Sequence, residues 1–201
     1  MTTHKFFPTL VYSARLQPGR WQTFNDRLLR ECRQLRIDDA LGRRWSADNY
    51  AGGYTSYSSV SRMHRMSPTF AELERKLAHH VKAFVRQSKL DLAGRELAMT
   101  DCWVNIMSRH VSHGLHLHPL STVSGTYYVQ TPQGCPGIKL EDPRLDRFMA
   151  SPPRKRGAHP WVMLPAEAGS LILFESWLRH EVAANPRARE RISISFNYGW
   201  F

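Results

Sequence analysis

The sequence predicts a mainly β protein, a barrel or sandwich of short strands, with helices packed on one of its faces. Two observations carry this. Apolar residues recur at helical spacing in the first half, and from about residue 97 the period shortens to that of strands. A third is that no linker and no internal repeat divides the 201 residues. The chain therefore reads as a single domain, 1–201, with helical support and N-terminal strands over about 1–96 and a barrel core over about 97–201.

In PGRWQTFNDRLLRECRQL, Trp21, Phe24, Leu28, Cys32 and Leu35 fall three or four residues apart, on one face of a helix. SPTFAELERKLAHHVKAFV repeats the stepping with Phe70, Leu73, Leu77, Val81 and Phe84. Ser67 is suited to the N-cap, and Pro68 to the first helical position, where a missing N–H costs nothing. Both stripes are expected to face the core, with His79 and His80 solvated. Between the helices, DNYAGGYTSYSSVS turns at Gly52-Gly53 and reads as a strand pair or an ordered loop. The strand candidates are MTDCWVNIM, STVSGTYYVQ, GIKLED, SLILFE, RHEV and RISISFNYGWF, separated by glycine, proline and polar turns. Helices on one side and six or more short strands on the other suit a layered barrel or sandwich.

The formal net charge of +11 suggests an acidic partner: nucleic acid, a carboxylate-rich substrate or an acidic protein surface. The arginines are spread along the chain, however, and no nucleic-acid fold signature accompanies them, so nucleic acid is not expected. Only PPRKRGAHP is densely basic. It lies in the long irregular segment from Arg144 to Pro160, a candidate lid with Arg154, Lys155 and Arg156 available for an anionic group. Cys32, Cys102 and Cys135 form no CxxC pair, which argues against a disulfide framework or a cysteine zinc site. MTTHKFFPTLVYSARL lacks a signal peptide's apolar core, and no run approaches the roughly 18 apolar residues of a membrane span. A soluble, cytoplasmic protein is expected.

The chemistry is concentrated in HGLHLHPLSTVSGTYYV. On a strand, His116 and His118 face the same way while Leu117 turns away, and two such imidazoles can share a metal at about 2.1 Å from each. Far downstream, SLILFESWLRHEV supplies His180. The strand RISISFN then sets Arg191, Ser193, Ser195 and Asn197 on one face. A local histidine pair, a distant third histidine and then an arginine strand match a jelly-roll barrel that holds iron and a dicarboxylate, the guanidinium forking onto one carboxylate beside a hydroxyl. His110 and His113, in the turn ahead of the strand, are less certain platforms for a ligand. Asp142, before Pro143, suits a turn, and Trp103 and Trp177 suit aromatic packing.

HLHPLSTVSGTYYV, GIKLEDPR, GSLILFESWLRHEV and RISISFN together resemble the 2-oxoglutarate and Fe(II)-dependent oxygenases with an HxHP motif, related to the prolyl-hydroxylase group. FFPTLVY and GYTSYSS extend the likeness over nearly the whole chain. The resemblance implies a double-stranded β-helix with Fe(II) at its mouth, 2-oxoglutarate as cosubstrate and O2 as oxidant. Hydroxylation of an unactivated C–H bond, with succinate and CO2 as co-products, is the default outcome; desaturation or cyclisation can arise in the same site. In the wider group the first motif is His-x-Asp or His-x-Glu, giving two histidines and a carboxylate. Here His118 stands at the acid's position. Either it binds and the metal has three neutral ligands, His116, His118 and His180, or two histidines remain. By matching strands, Arg191 pairs with the distal carboxylate of 2-oxoglutarate, with Tyr128, a hydroxyl from Ser193 or Ser195, and Asn105 approaching the same cosubstrate.

Two rivals predict different behaviour. A three-histidine metal dioxygenase of cupin type would turn over without 2-oxoglutarate. A non-catalytic basic binding module would show salt-sensitive binding that survives metal removal. The oxygenase is preferred because phosphate binding gives no reason for HLH, His180 and Arg191 to occur in that order. The expected substrate is a small molecule or a peptide, and an anionic one fits the basic segment. Nothing in the sequence indicates an oligomeric state.

Overall fold

A computed structural model describes residues 1–4, 6–144, 149, 150, 152 and 155–201. Ten strands and four helices follow one another among these residues. They are β1 (Val11–Arg15), α1 (Trp21–Asp38), α2 (Ala40–Asn49), β2 (Tyr54–Thr55), α3 (Met63–Met66), α4 (Pro68–Gln87), β3 (Leu97–Met107), β4 (His113–His116), β5 (Val123–Gln130), β6 (Ile138–Glu141), β7 (Trp161–Leu164), β8 (Ser170–Glu175), β9 (His180–Val182) and β10 (Arg191–Trp200). The strands form two sheets, β1-β8-β5-β10-β3-β2 and β4-β9-β6-β7, and every pairing between them is antiparallel. With α1 and α4 on the outer face of the larger sheet, this is the mainly β jelly-roll architecture the sequence predicts.

Alternation along β10 shows how the layers are made. Ile192, Ile194, Phe196 and Tyr198 point outward and join Phe70, Leu73, Leu77, Val81 and Phe84 of α4 in one apolar cluster. Each fully buried side chain of this size contributes about 1.5–3 kcal/mol relative to exposure. The cluster therefore fixes the face that β10 shows to the helices. Arg191, Ser193, Ser195 and Asn197 are consequently turned to the opposite face, toward the smaller sheet. Ile138, Leu140, Ile172 and Phe174 fill the far part of the space between the sheets. Gly125 on β5 is needed there, because a Cβ would lie 2.5 Å from Phe196 and 2.7 Å from the Ile172 carbonyl.

The helical expectations hold for α1 and α4. Ser67 Oγ accepts from the backbone N–H groups of Thr69 and Phe70, with Pro68 in the first turn. His80 departs from expectation. It is 5% exposed, one nitrogen on the Tyr12 hydroxyl at 2.8 Å and the other on the Leu16 carbonyl at 3.1 Å. It lies beside Leu77, Val81 and Phe84 on the apolar stripe, and β1 covers it. The glycine- and serine-rich stretch is neither a full strand pair nor a simple loop: β2 adds two residues to the edge of β3, followed by turns. Trp177 is 47% exposed, its indole N–H on Glu175, so it is no core residue. Asp142 accepts the backbone N–H of Arg144 in the expected turn. All three cysteines are free thiols. No helix among the described residues is long and apolar enough to cross a membrane.

Candidate active site

The smaller sheet brings the histidines together. In the β4–β9 pairing His116 lies directly opposite His180. Strand β4 ends at His116, so His118 is not on the strand as the spacing suggests. It follows in a loop held by a hydrogen bond from its backbone N–H to the Ser176 carbonyl. The rings still converge: one nitrogen from each of His116, His118 and His180 lies within 4.8 Å of the others. His113 opens β4 instead of preceding it. Its ring stacks on His116 at 4.5 Å and meets Tyr50 at 5.3 Å, without joining the three nitrogens. His110 is in the turn, its backbone N–H on the Asn185 carbonyl.

Each of the three converging rings has Nδ1 against an oxygen. His116 faces the Gly114 carbonyl at 2.7 Å, His180 the Leu178 carbonyl at 2.9 Å and His118 the Asn197 amide oxygen at 2.6 Å. Carbonyl oxygens only accept, so Nδ1 carries the proton and Nε2 presents its lone pair. Three neutral imidazoles orientated in this way could hold a metal ion, with outer partners for each ring in place. Burial holds the rings neutral. It pushes His180 down to about 3 and His118 to about 4, reinforced by the neighbouring His116, and His113 to about 3.

That depression has a consequence for stability. A histidine whose folded pKa lies below its unfolded value near 6.5 refuses a proton that the unfolded chain accepts. Stability is therefore intact above pH 6.5 and falls as the pH drops toward about 3. For His180, which is 5% exposed, the loss at pH 5 is on the order of 2 kcal/mol. Urea denaturation of the metal-free protein at pH 7.5 and 5.0 should show a lower midpoint at pH 5.0. Equal midpoints would mean that water reaches these rings.

The larger sheet forms the opposite wall. On β10, Ser193 pairs with Asn105 of β3 and with Tyr128 of β5, and Ser195 pairs with Trp103 and Thr126. An inner cavity of about 40 Å³ is lined by the three histidines together with Asn105, Arg191, Ser193 and Ser195. Arg191 is 3% exposed and donates to the Pro136 carbonyl at 3.1 Å, Ser193 Oγ at 3.3 Å and Met107 Sδ at 3.4 Å. Among the described residues it has no carboxylate partner. Its guanidinium sits over the Tyr128 ring, 5.1 Å from the centroid. Tyr128 is fully buried, its hydroxyl has no hydrogen-bond partner among the described residues, and it does not line the cavity itself. Asn105 donates to Ser195 Oγ at 3.0 Å.

A second, outer cavity of about 320 Å³ shares Trp103, His113, His116 and His118 with the inner one. Trp45 and Tyr50 at the end of α2, and Tyr57 after β2, complete its aromatic wall. Trp45 carried no functional signal in the sequence. Asn197 did carry one, because it shares a face with Arg191. Trp103 is buried, but it faces both cavities instead of simply packing in the core. No described residue of the 144–160 segment lines either cavity; Arg144 and His159 face a groove beside the N-terminal residues Phe6 and Phe7. Arg154, the first of the proposed anion-binding residues, lies outside the described residues.

Comparison with known proteins agrees with this geometry. Residues 101–197 match the family described as "Putative 2OG-Fe(II) oxygenase". No curated protein matches. Among solved structures, a Pseudomonas putida prolyl-4-hydroxylase aligns over 96% of this chain and 94% of its own, with 16% identity and a TM-score of 0.61. The non-haem α-ketoglutarate-dependent epimerase SnoN of nogalamycin biosynthesis aligns over 94% and 77%, with 16% identity and a TM-score of 0.64. HygX from Streptomyces hygroscopicus, solved with nickel and 2-oxoglutarate, aligns over 95% and 83%, with 13% identity and a TM-score of 0.64. These likenesses establish the shared double-stranded β-helix. The barrel of this chain, residues 101–197, is thus similar to the 2OG-Fe(II) oxygenase family.

Proposed function

We propose that the protein is a non-haem Fe(II)- and 2-oxoglutarate-dependent dioxygenase that hydroxylates an unactivated C–H bond of an amino acid, a peptide or a related small molecule. The metal ligands are His116, His118 and His180. Arg191 and Ser193 bind the distal carboxylate of the cosubstrate, supported by Tyr128, Ser195 and Asn105. One observation carries the reading above all. A guanidinium with no carboxylate partner among the described residues is buried in the cavity that three lone-pair-bearing imidazoles line. A buried unpaired cation costs several kcal/mol, and an anionic ligand recovers that cost.

The donor set fits both groups. Three neutral nitrogens leave the metal's double positive charge uncompensated, which favours a dianionic co-ligand over a neutral one. Iron with 2-oxoglutarate supplies the oxidation: O2 is reduced, 2-oxoglutarate becomes succinate and CO2, and one oxygen atom goes to the substrate. The chain's own part is to bind, orient and exclude water. The inner cavity is narrow, so a carboxylate enters by replacing the contacts of Arg191 with Met107 Sδ and the Pro136 carbonyl. Phe174, Ile138 and Met107 keep its walls dry.

Asn197 is expected to hold His118 as a ligand. Its amide oxygen also accepts from Ser124 Oγ at 2.8 Å, and Ser124 is hydrogen-bonded to Ser176 at 2.7 Å. Asn197→Leu removes the acceptor for His118 Nδ1 and should weaken Co(II) affinity about 10–100-fold, whereas Asn197→Asp should preserve it. Equal loss in both variants would reduce Asn197 to a packing role.

The test of the function is an anaerobic titration of the Fe(II) protein with 2-oxoglutarate, followed by visible absorption. A weak charge-transfer band that saturates supports the reading. Bound iron without a band would favour a three-histidine dioxygenase that uses no 2-oxoglutarate.

A further inference from the structure

The structure points to an uncharged, ring-bearing group as the part of the substrate that enters the outer cavity. This inference rests on the oxygenase reading, because the cavity is the one that opens onto the three histidines. Lys, Arg, Asp and Glu make up 22% of the chain, yet none of the described residues lining this cavity is one of them. The basic character of the protein is absent from its mouth.

Four aromatic side chains, Trp45, Tyr50, Tyr57 and Trp103, make the wall instead. They are arranged in relay. Tyr57 meets Trp103 edge-on at 5.1 Å, and Trp103 meets His118 at 5.6 Å. Such faces and edges accept a planar or alicyclic ring in offset or edge contact. Asn49, Thr55 and Asn197 add neutral donors and acceptors that orient a ligand without selecting a charge. A substrate carboxylate would meet no Lys or Arg among the described lining residues, and a substrate ammonium no Asp or Glu, so a charged group gains no ion pair here for the water it gives up against the aromatic wall. The volume of about 320 Å³ lies at the small end of ligand cavities, which span roughly 300–1,000 Å³. It therefore admits one ring system with a short polar appendage.

Three probes with a common ring separate the possibilities: 2-naphthamide, 2-naphthoate and 2-naphthylmethylammonium. Their binding to the full chain, loaded with Co(II) and 2-oxoglutarate, would be measured by ligand-observed NMR titration. Proton broadening by the metal reports placement beside the histidines. The amide is expected to bind at least about tenfold more tightly than either charged probe. Trp45 and Tyr57 are 37% and 53% exposed, so alanine there should leave the fold intact. Trp45→Ala and Tyr57→Ala should each weaken the amide at least about fivefold. Equal or tighter binding of naphthoate or the ammonium would overturn the inference, as would amide binding indifferent to both variants. Capped 2-naphthylalaninamide identifies the source of the ring. Its preference over naphthamide indicates a residue within a peptide, and the reverse preference indicates a free small molecule. Failure of the oxygenase reading is seen separately, as absence of the 2-oxoglutarate band from the iron-loaded protein. A normal band with a reversed probe order would sink only this inference.

Discussion

His180→Ala is expected to lower Fe(II) or Co(II) affinity by more than about a hundredfold, beyond what loss of a supporting hydrogen bond costs, in a protein that still folds. His180 is the most buried of the three converging histidines and lies opposite His116 across the β4–β9 pair. Its Nδ1 is committed to the Leu178 carbonyl. No other described side chain stands ready to replace it, since His113 does not join the group of nitrogens. The main core cluster, which holds β10 to α4, contains none of these histidines. Far-ultraviolet circular dichroism should therefore be unchanged while metal per chain after dialysis falls toward zero. His116→Ala should behave in the same way. His118 is the informative third case. Aspartate there restores the two-histidine, one-carboxylate set and should keep some metal and activity, whereas alanine should lose more. Stoichiometric, tightly held iron in His180→Ala would remove this residue from the ligand set. Equal behaviour of His118→Asp and His118→Ala would do the same for His118.

The sequence carries the inward face of β10 unusually well. The period-two rule sets Arg191, Ser193, Ser195 and Asn197 on one side, and the apolar residues between them have a helix to pack against. The same rule fails at HLH. Strand β4 stops at His116 because His118 gives its backbone N–H to Ser176, outside the β4–β9 ladder. The rings converge through a loop that period-two reasoning does not describe. His80 shows the opposite limit. Its helical position alone does not separate a solvated ring from one that β1 covers, because the cover comes from far away in sequence. Helix α2 was not legible at all: ALGRRWSADN has no continuous apolar stripe, and only Gly42 and Ser46 within it are buried. Trp45, which helps to shape the outer cavity, went unseen with it. Net charge is no guide to the outer cavity. It is a sum over the surface, whereas the cavity beside the histidines is lined by uncharged residues.

Arg191→Met should separate stability from function. Truncating one partner of a buried, hydrogen-bonded charge pair costs about 2–5 kcal/mol of binding. The variant should therefore bind 2-oxoglutarate at least about thirtyfold more weakly and lose its charge-transfer band at concentrations that saturate the parent. Iron should remain, because Arg191 lies outside the group of converging nitrogens. Without cosubstrate, however, Arg191 is a buried cation held, among the described residues, by a carbonyl, a hydroxyl, a thioether and the face of the Tyr128 ring, with no carboxylate. Methionine fills similar volume without that desolvation cost. It leaves the Pro136 carbonyl short of one donor, which offsets part of the gain. The ligand-free variant should consequently be more stable than the parent, by on the order of 1 kcal/mol. Adding 2-oxoglutarate to the iron-loaded proteins should reverse the order, since binding stabilises only the form that binds. Arg191→Lys keeps the charge but not the fork, and its affinity should fall between the two. A destabilised Arg191→Met that still binds 2-oxoglutarate would show that the guanidinium is a structural support of β10. The cosubstrate's distal carboxylate would then have to be held by other groups.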